Sequence, residues 1–410
     1  MSLDHLSLQE LILKRQTVRR TLMAQADLQP VRIGILGGST TKSVAPSALK
    51  TGQPVTSEKH HADVAASLRD KVVLITGAGG SIGSELVRQV SKAHVRELIL
   101  LDQDENAVFE LLSELGSRPE LKPVIATIRD HEALQAIFAQ YRPQVVLHAA
   151  AYKHVPMMEG NPCEAVLNNV MGTRILAEVA RDFQVERFVM ISSDKAVRPS
   201  SVMGATKRLA EVVIQRIARE QKTVGIKFAC VRFGNVLGSR GSVLPMFLKQ
   251  IEAGGPLTVT HEEMTRYFMT IPQAVHLVLQ ASTLGSRGHI YLLEMGDPVR
   301  IVNFAREVIQ LAGLTPGKDI EIRIVGTRPG EKLHEQLWTE GAKITPTSFN
   351  EIFEVYAEDT DPSFPALLAE LEKTAMEHRD DRVRDLLRAL PIDYRAELRV
   401  PYSADEPIAQ

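Results

Sequence analysis

Val72-Val73-Leu74-Ile75-Thr76-Gly77-Ala78-Gly79-Gly80-Ser81-Ile82-Gly83 is the stretch whose reading decides the fold. Its first four residues form a continuous apolar run, which predicts a strand buried on both faces. Ser84 to Val90 continues as a helix. Glycines between a strand and a helix are the dinucleotide fingerprint in the context it requires. Gly77 permits the tight turn, Gly80 lets the backbone approach a pyrophosphate, and Gly83 allows close helix–strand packing. The helix N-terminus then offers unpaired N–H groups and a positive dipole end to phosphates. Thr76, Gly77, Gly80, Ser81, Ile82 and Gly83 are therefore candidate cofactor-binding residues.

Similar apolar runs recur at Leu98–Leu101, Val124–Ile125, Val145–Leu147 and Phe188–Ile191, separated by segments of helical periodicity. Strands alternating with helices imply a parallel sheet covered on both faces. The expected fold class is α/β, a doubly wound, Rossmann-type sheet with a smaller C-terminal substrate-binding lobe. The expected boundaries are an N-terminal appendage and linker over 1–65, a nucleotide-binding domain over 66–233, a mixed substrate-binding lobe over 234–342, and a charged helical extension over 343–410. Asp102 ends the second strand, where a carboxylate accepts both ribose hydroxyls and repels a 2′-phosphate. Gln103 and Asp104 follow, with no adjacent cation, so NAD is expected rather than NADP. Arg129 and Asp130 follow the third strand; Asp130 either approaches the adenine, caps the helix over 131–140, or does both. Ala149 and Ala150, after the fourth strand, complete the cofactor candidates.

The chain has 410 residues, 44% apolar and 24% charged, with a net charge of −2, so a substantial core is affordable and no nucleic-acid partner is expected. Cys163 and Cys230 lack metal-ligand spacing, which argues for a reducing compartment, no disulfide and no metal. No apolar run approaches the roughly 18–20 residues of a membrane span. The N-terminus has no signal-like apolar core, and the expected location is cytoplasmic.

After the fifth strand comes Ser192-Ser193-Asp194-Lys195-Ala196-Val197, followed by Met203-Gly204-Ala205-Thr206-Lys207. On a helix, positions 203 and 207 share a face. With His148–Pro156, Arg232–Ser239 and the glycine loop, these segments resemble the bacterial UDP-N-acetylglucosamine 4,6-dehydratases of the extended short-chain dehydrogenase/reductase superfamily, over about residues 70–340. Met203 stands where most such enzymes carry tyrosine, and the Met-x-x-x-Lys pattern resembles the C5-retaining branch. The resemblance implies C4 oxidation by NAD, loss of water across C5 and C6, and hydride return to C6. A UDP-sugar is the implied partner, together with a homo-oligomer formed through the helices near 163–182 and 201–219.

The chemistry assigns candidate roles. Lys195 is the expected C5 base and Asp194 the acid for the leaving hydroxyl, and Lys207 is expected to bind the nicotinamide ribose. For Lys195 to act as a base its pKa must fall well below about 10.4, through burial or nearby Lys207. Met203 cannot accept a proton, so the C4 hydroxyl needs Asp194 or a water held by Ser193. Lys153 contacts sugar or phosphate unless it is an ordinary exposed lysine. Asn235, Arg240 and Ser242 are expected to clasp a nucleotide diphosphate. By resemblance, Arg266 in Thr265–Thr270 binds the diphosphate, Glu331 in Arg328–Lys332 meets the uridine ribose, and Arg328 of the same motif is a further substrate-binding candidate. Glu331 equally suits a helix N-terminus. Two alternatives stay open: a 4-epimerase or C5-inverting dehydratase, for which tyrosine is expected at 203, and an inactive binding module.

Overall fold

A helix, α1 (Glu58–Leu68), leads into β1 (Val72–Thr76), whose five residues are all buried. The computed structural model describes residues 58–220, 225–285, 287–356 and 361–395. Most of the expected 1–65 appendage lies outside the described residues. From β1 the chain winds through α2 (Ser81–Val90), β2 (Glu97–Asp102), α3 (Glu105–Leu115), β3 (Leu121–Ile125), α4 (His131–Tyr141) and β4 (Val145–His148). Asp104 and Asp130 begin α3 and α4 by accepting the N–H groups of Ala107 and Ala133, which explains where those helices start. Then follow α5 (Val155–Gly160), α6 (Pro162–Val166), a π turn at Leu167–Gly172, α7 (Thr173–Asp182), β5 (Arg187–Ile191), α8 (Val202–Arg219) and β6 (Lys227–Arg232).

Beyond β6 the chain alternates between two bodies. The smaller holds β7 (Asn235–Leu237), α9 (Val243–Glu252), β8 (Leu257–Val259), β9 (Thr265–Arg266) and β10 (Phe268–Thr270). The chain then returns to the main sheet through α10 (Ile271–Ala281), packed against α2, and β11 (Arg287–Leu293), beside β6. It re-enters the lobe with β12 (Val299–Arg300), α11 (Ile301–Leu311) and β13 (Ile322–Ile324). The lobe has its own core, centred on Phe247, Leu257, Phe304 and Ile309. The expected single block 234–342 is therefore interrupted.

The main sheet has nine strands in the order β14-β15-β11-β6-β5-β4-β1-β2-β3. From β3 to β11 every pairing is parallel, and strand order reverses outward from β1 and β4, as in a doubly wound sheet. β14 (Ile344–Pro346) and β15 (Ile352–Val355) add antiparallel strands to one edge. These residues were expected to open a helical extension. Ile352 and Val355 are buried, and their pairing with β11 overrides the polar composition around them.

Helices α12 (Phe364–Met376) and α13 (Asp380–Ala389) pack over α6, and α13 also touches α8. Arg174 on α7 forms a two-pronged pair with the buried carboxylate of Glu372. Most of α8 is buried within its own chain, including Val202 to Lys207 and Leu209 to Gln215. The helices expected to meet a second subunit are thus largely covered in cis. Among the described residues, no helix is long and apolar enough to cross a membrane.

Candidate functional site

The loops leaving the carboxyl ends of β1, β2 and β4 meet in one cleft, lined by Gly77, Gly80, Asp102, Thr127, Ala150 and Arg240 among others. Such a position, where strand order reverses, is where open α/β sheets bind ligands. Gly77 has φ +68°, and a Cβ there would lie 2.6 Å from the Ala150 nitrogen. A Cβ on Gly83 would meet the Gly77 carbonyl oxygen, so α2 packs directly on the loop. Asp102 braces the loop by accepting the Gly79 N–H at 2.8 Å and also accepts from Asp104.

The remaining cofactor candidates are held by contacts of their own. Thr76 is fully buried, its hydroxyl 2.7 Å from His148 Nδ1, which places it in the floor of the site. His148 also meets the Thr173 hydroxyl, and burial, reinforced by Lys207, pushes its pKa down to about 3. Asp130 is exposed and caps α4, while Thr127 and Ile128 from the same loop line the cleft. Arg129 pairs with Glu164 at 2.8 Å. Ser81 accepts the Arg240 N–H, and Ile82 packs against the core. Ala149 and Ala150 back the glycine turn.

The second cluster follows β5. Ser193 caps a single 3₁₀ turn, Asp194–Ala196, by accepting the Lys195 N–H. Asp194 is fully buried. Its Oδ1 accepts the Ser193 hydroxyl at 2.8 Å and Lys195 Nζ at 3.0 Å, while Oδ2 is buried without a hydrogen-bond partner. Lys195 also donates to Asn235 Oδ1 at 3.1 Å, so Asn235 belongs to this cluster. Burial opposes the Lys195 charge, but Asp194 and then Glu335 outweigh it, and the lysine pKa lies above its ordinary value. The expected fall is thus reversed: a buried ammonium is retained where carboxylates surround it.

Ser201 opens α8 by accepting the Gly204 N–H. Met203 is 3% exposed and packs within the core. Lys207 Nζ donates to the Ile191 carbonyl at 2.6 Å, and burial pushes its pKa down to about 8 against the pull of Glu211.

On the lobe side, Arg240 lines the dinucleotide cleft, its N–H on Ser81 and its carbonyl accepting Lys153 Nζ at 2.9 Å. That places Arg240 and Lys153 at the junction of cleft and lobe. Ser242 precedes α9 with its hydroxyl buried and unpartnered. Arg266 is buried, donating to the Thr265 and Leu333 carbonyls. Glu331 begins no helix; it accepts the N–H of exposed Arg328 within a turn. Glu335 and Lys332 were missed from the sequence. Glu335 sits 3.5 Å from Lys195 Nζ, and Lys332 donates to the Val197 carbonyl. Lys332 closes the Arg328–Lys332 motif without an assigned role, and Glu335 follows three residues beyond it.

The parallel sheet, the glycine loop at its switch point and the Asp-Lys turn beyond β5 define a Rossmann-type protein of short-chain dehydrogenase/reductase architecture. More narrowly, the chain belongs to the polysaccharide biosynthesis protein family, whose pattern matches residues 73–357. CapD, a capsular polysaccharide biosynthesis protein of Staphylococcus aureus, is 49% identical over 320 residues, which are 77% of this chain and 53% of CapD. The chain thus spans about half the length of that relative. A UDP-glucose 4-epimerase of Rickettsia rickettsii is 32% identical over 308 residues, 74% of this chain and 88% of that enzyme. The X-ray structure of Pen from Bacillus thuringiensis matches with a TM-score of 0.66 and 32% identity, covering 71% of this chain and 89% of Pen.

Proposed function

We propose that the chain is an NAD-dependent nucleotide-sugar dehydratase that converts UDP-N-acetylglucosamine to a UDP-4-keto-6-deoxy-N-acetylhexosamine with C5 configuration retained. The observation that carries this reading is the Asp194–Lys195 hydrogen bond of 3.0 Å in a turn beside a dinucleotide cleft. The cleft suits the adenosine and pyrophosphate of NAD: a left-handed glycine turn, a helix N-terminus and the Asp102 carboxylate are all present. NAD supplies a hydride acceptor that one turnover regenerates. Lys207, on the helix following the reactive turn, is the candidate ligand of its nicotinamide ribose.

Lys195 rests as an ammonium and must lose a proton before it can take one. Asp194 Oδ1 is its nearest acceptor. Transfer along that bond leaves a neutral amine and a carboxylic acid, a form favoured once a bound sugar excludes water. A water held by Ser193 carries the C4 hydroxyl proton to solvent as the ketone forms, the amine then removes the C5 proton that the ketone acidifies, and Asp194 protonates the departing C6 hydroxyl. Lys195, again an ammonium, returns a proton to C5 from the same side, which accounts for retention. Arg266, Arg328, Glu331 and Ser242 remain candidates for holding the nucleotide, with Lys153 and Arg240 at the junction.

The test is incubation with UDP-N-acetylglucosamine in deuterated water, read by NMR. A new C6 methyl and a 4-keto group are expected, with C5 configuration unchanged. An inverted C5 or a 4-epimer points to the neighbouring chemistries. Unchanged sugar with NAD bound rejects the proposal. Lys195→Ala should abolish turnover while leaving bound NAD in place; a Lys195→Ala protein that still turns over rejects the base assignment.

A further inference from the structure

Glu335 lies in the loop between β13 and β14, far in sequence from the reactive turn, yet its side chain is only 3% exposed and reaches that turn. Its Oε1 is 3.5 Å from Lys195 Nζ, and its Oε2 is 3.6 Å from Lys332 Nζ with no hydrogen-bond partner. An ammonium has three donors. Lys195 donates to Asp194 Oδ1 at 3.0 Å and Asn235 Oδ1 at 3.1 Å, and Glu335 Oε1 forms an ion pair with it at 3.5 Å. A neutral amine has only two N–H groups, and its lone pair would confront a carboxylate.

We infer that Glu335 is a positioning residue for Lys195: with Asp194 and Asn235 it surrounds the ammonium, fixing its direction and holding its proton until substrate arrives. The inference deepens the dehydratase reading, on which the use of Lys195 at C5 rests; the resting charge of Lys195 does not depend on it. The opposing charges are Arg266, which lowers the Lys195 pKa, and Lys153 and Lys332, which both feel its charge. Asp194 alone faces these cations less effectively than two carboxylates do. Without Glu335, Lys332 would also lose its carboxylate partner.

The experiment is trace labelling of the intact protein with acetic anhydride across a pH series, with the Lys195 peptide quantified by mass spectrometry. Only an unprotonated amine reacts. In the native protein, Lys195 should label with a higher pH midpoint than exposed Lys249; a lower midpoint overturns the inference without any substitution. In Glu335→Gln, Lys195 should label about tenfold faster at a fixed pH below the midpoint, the usual scale for losing one adjacent charge. Glu335→Asp keeps the charge and should stay near the native profile. A folded Glu335→Gln protein with the native labelling profile, or a Glu335→Asp protein shifted as far as the glutamine variant, overturns it. No sugar is present, so failure of the dehydratase reading leaves this result intact.

Discussion

Replacing Glu211 with alanine should cost the fold about as much as truncating one of its large buried apolar side chains. Glu211 on α8 is fully buried beneath the sheet. Its Oε1 accepts the Ser192 hydroxyl and Arg232 Nε, both at 2.7 Å, and its Oε2 accepts Arg232 Nη2 at 2.6 Å and Arg208 Nη1 at 3.1 Å. Burial alone would raise its pKa, but Arg232, Arg208 and Ser192 outweigh burial and hold it below the usual range. Alanine leaves the Arg232 guanidinium, 6% exposed, with no counter-ion. Breaking one side of a buried pair costs about 3–5 kcal/mol. That is a large share of a typical domain stability of roughly 5–15 kcal/mol. Urea unfolding followed by circular dichroism measures it, as a lower midpoint at unchanged slope. The double variant Glu211→Met/Arg232→Met removes both charges, and on the same reasoning it should lose much less than the single one. A single variant that loses under about 1 kcal/mol, or a double variant that falls as far, refutes the reasoning.

Two further perturbations probe the neighbourhood of the cleft. Because burial holds the His148 pKa near 3 against an ordinary 6.5, the unfolded chain takes up a proton that the folded ring refuses. Stability should therefore fall as pH drops from 6.5 towards 3, and His148→Gln should flatten that slope in a pH series of urea midpoints; an unchanged slope contradicts the assignment. At Gly204, an added Cβ would lie 2.4 Å from the Lys195 carbonyl oxygen, so Gly204→Ala must push α8 away from the reactive turn. Overpacking of this kind costs about 1–3 kcal/mol. Turnover should fall sharply with NAD binding retained, as measured by fluorescence of bound cofactor and by product NMR.

The parallel sheet was legible because its central strands are continuous apolar runs, and the cleft because its glycines follow such a strand. What stayed hidden depended on contacts between distant segments. Thr76 reads as the first polar residue of a binding loop, but its hydroxyl is consumed by His148 from the neighbouring strand. Lys195 reads as a base with a readily lost proton, but Glu335 and Asn235, brought beside it by the fold, stabilise its charge at rest. Arg240 reads as part of a diphosphate clasp, and only the fold shows the turn that carries it resting on Ser81. Residues 344–355 read as the start of a helical extension, whereas the open edge of β11 recruits them as strands. Local pattern identified which residue types were present, and the tertiary neighbours decided their protonation and direction.

The cover formed by α12 and α13 gives this fold a timetable during translation. α6, the π turn and α8 leave the ribosome well before the helices that shield them, so their apolar surfaces must wait for late-made chain. Domains that complete a layer with their last helices hold an exposed intermediate for the duration of that delay. The burial of the helix carrying Lys207 is therefore finished late in synthesis, well after the glycine loop that faces the cleft has been made.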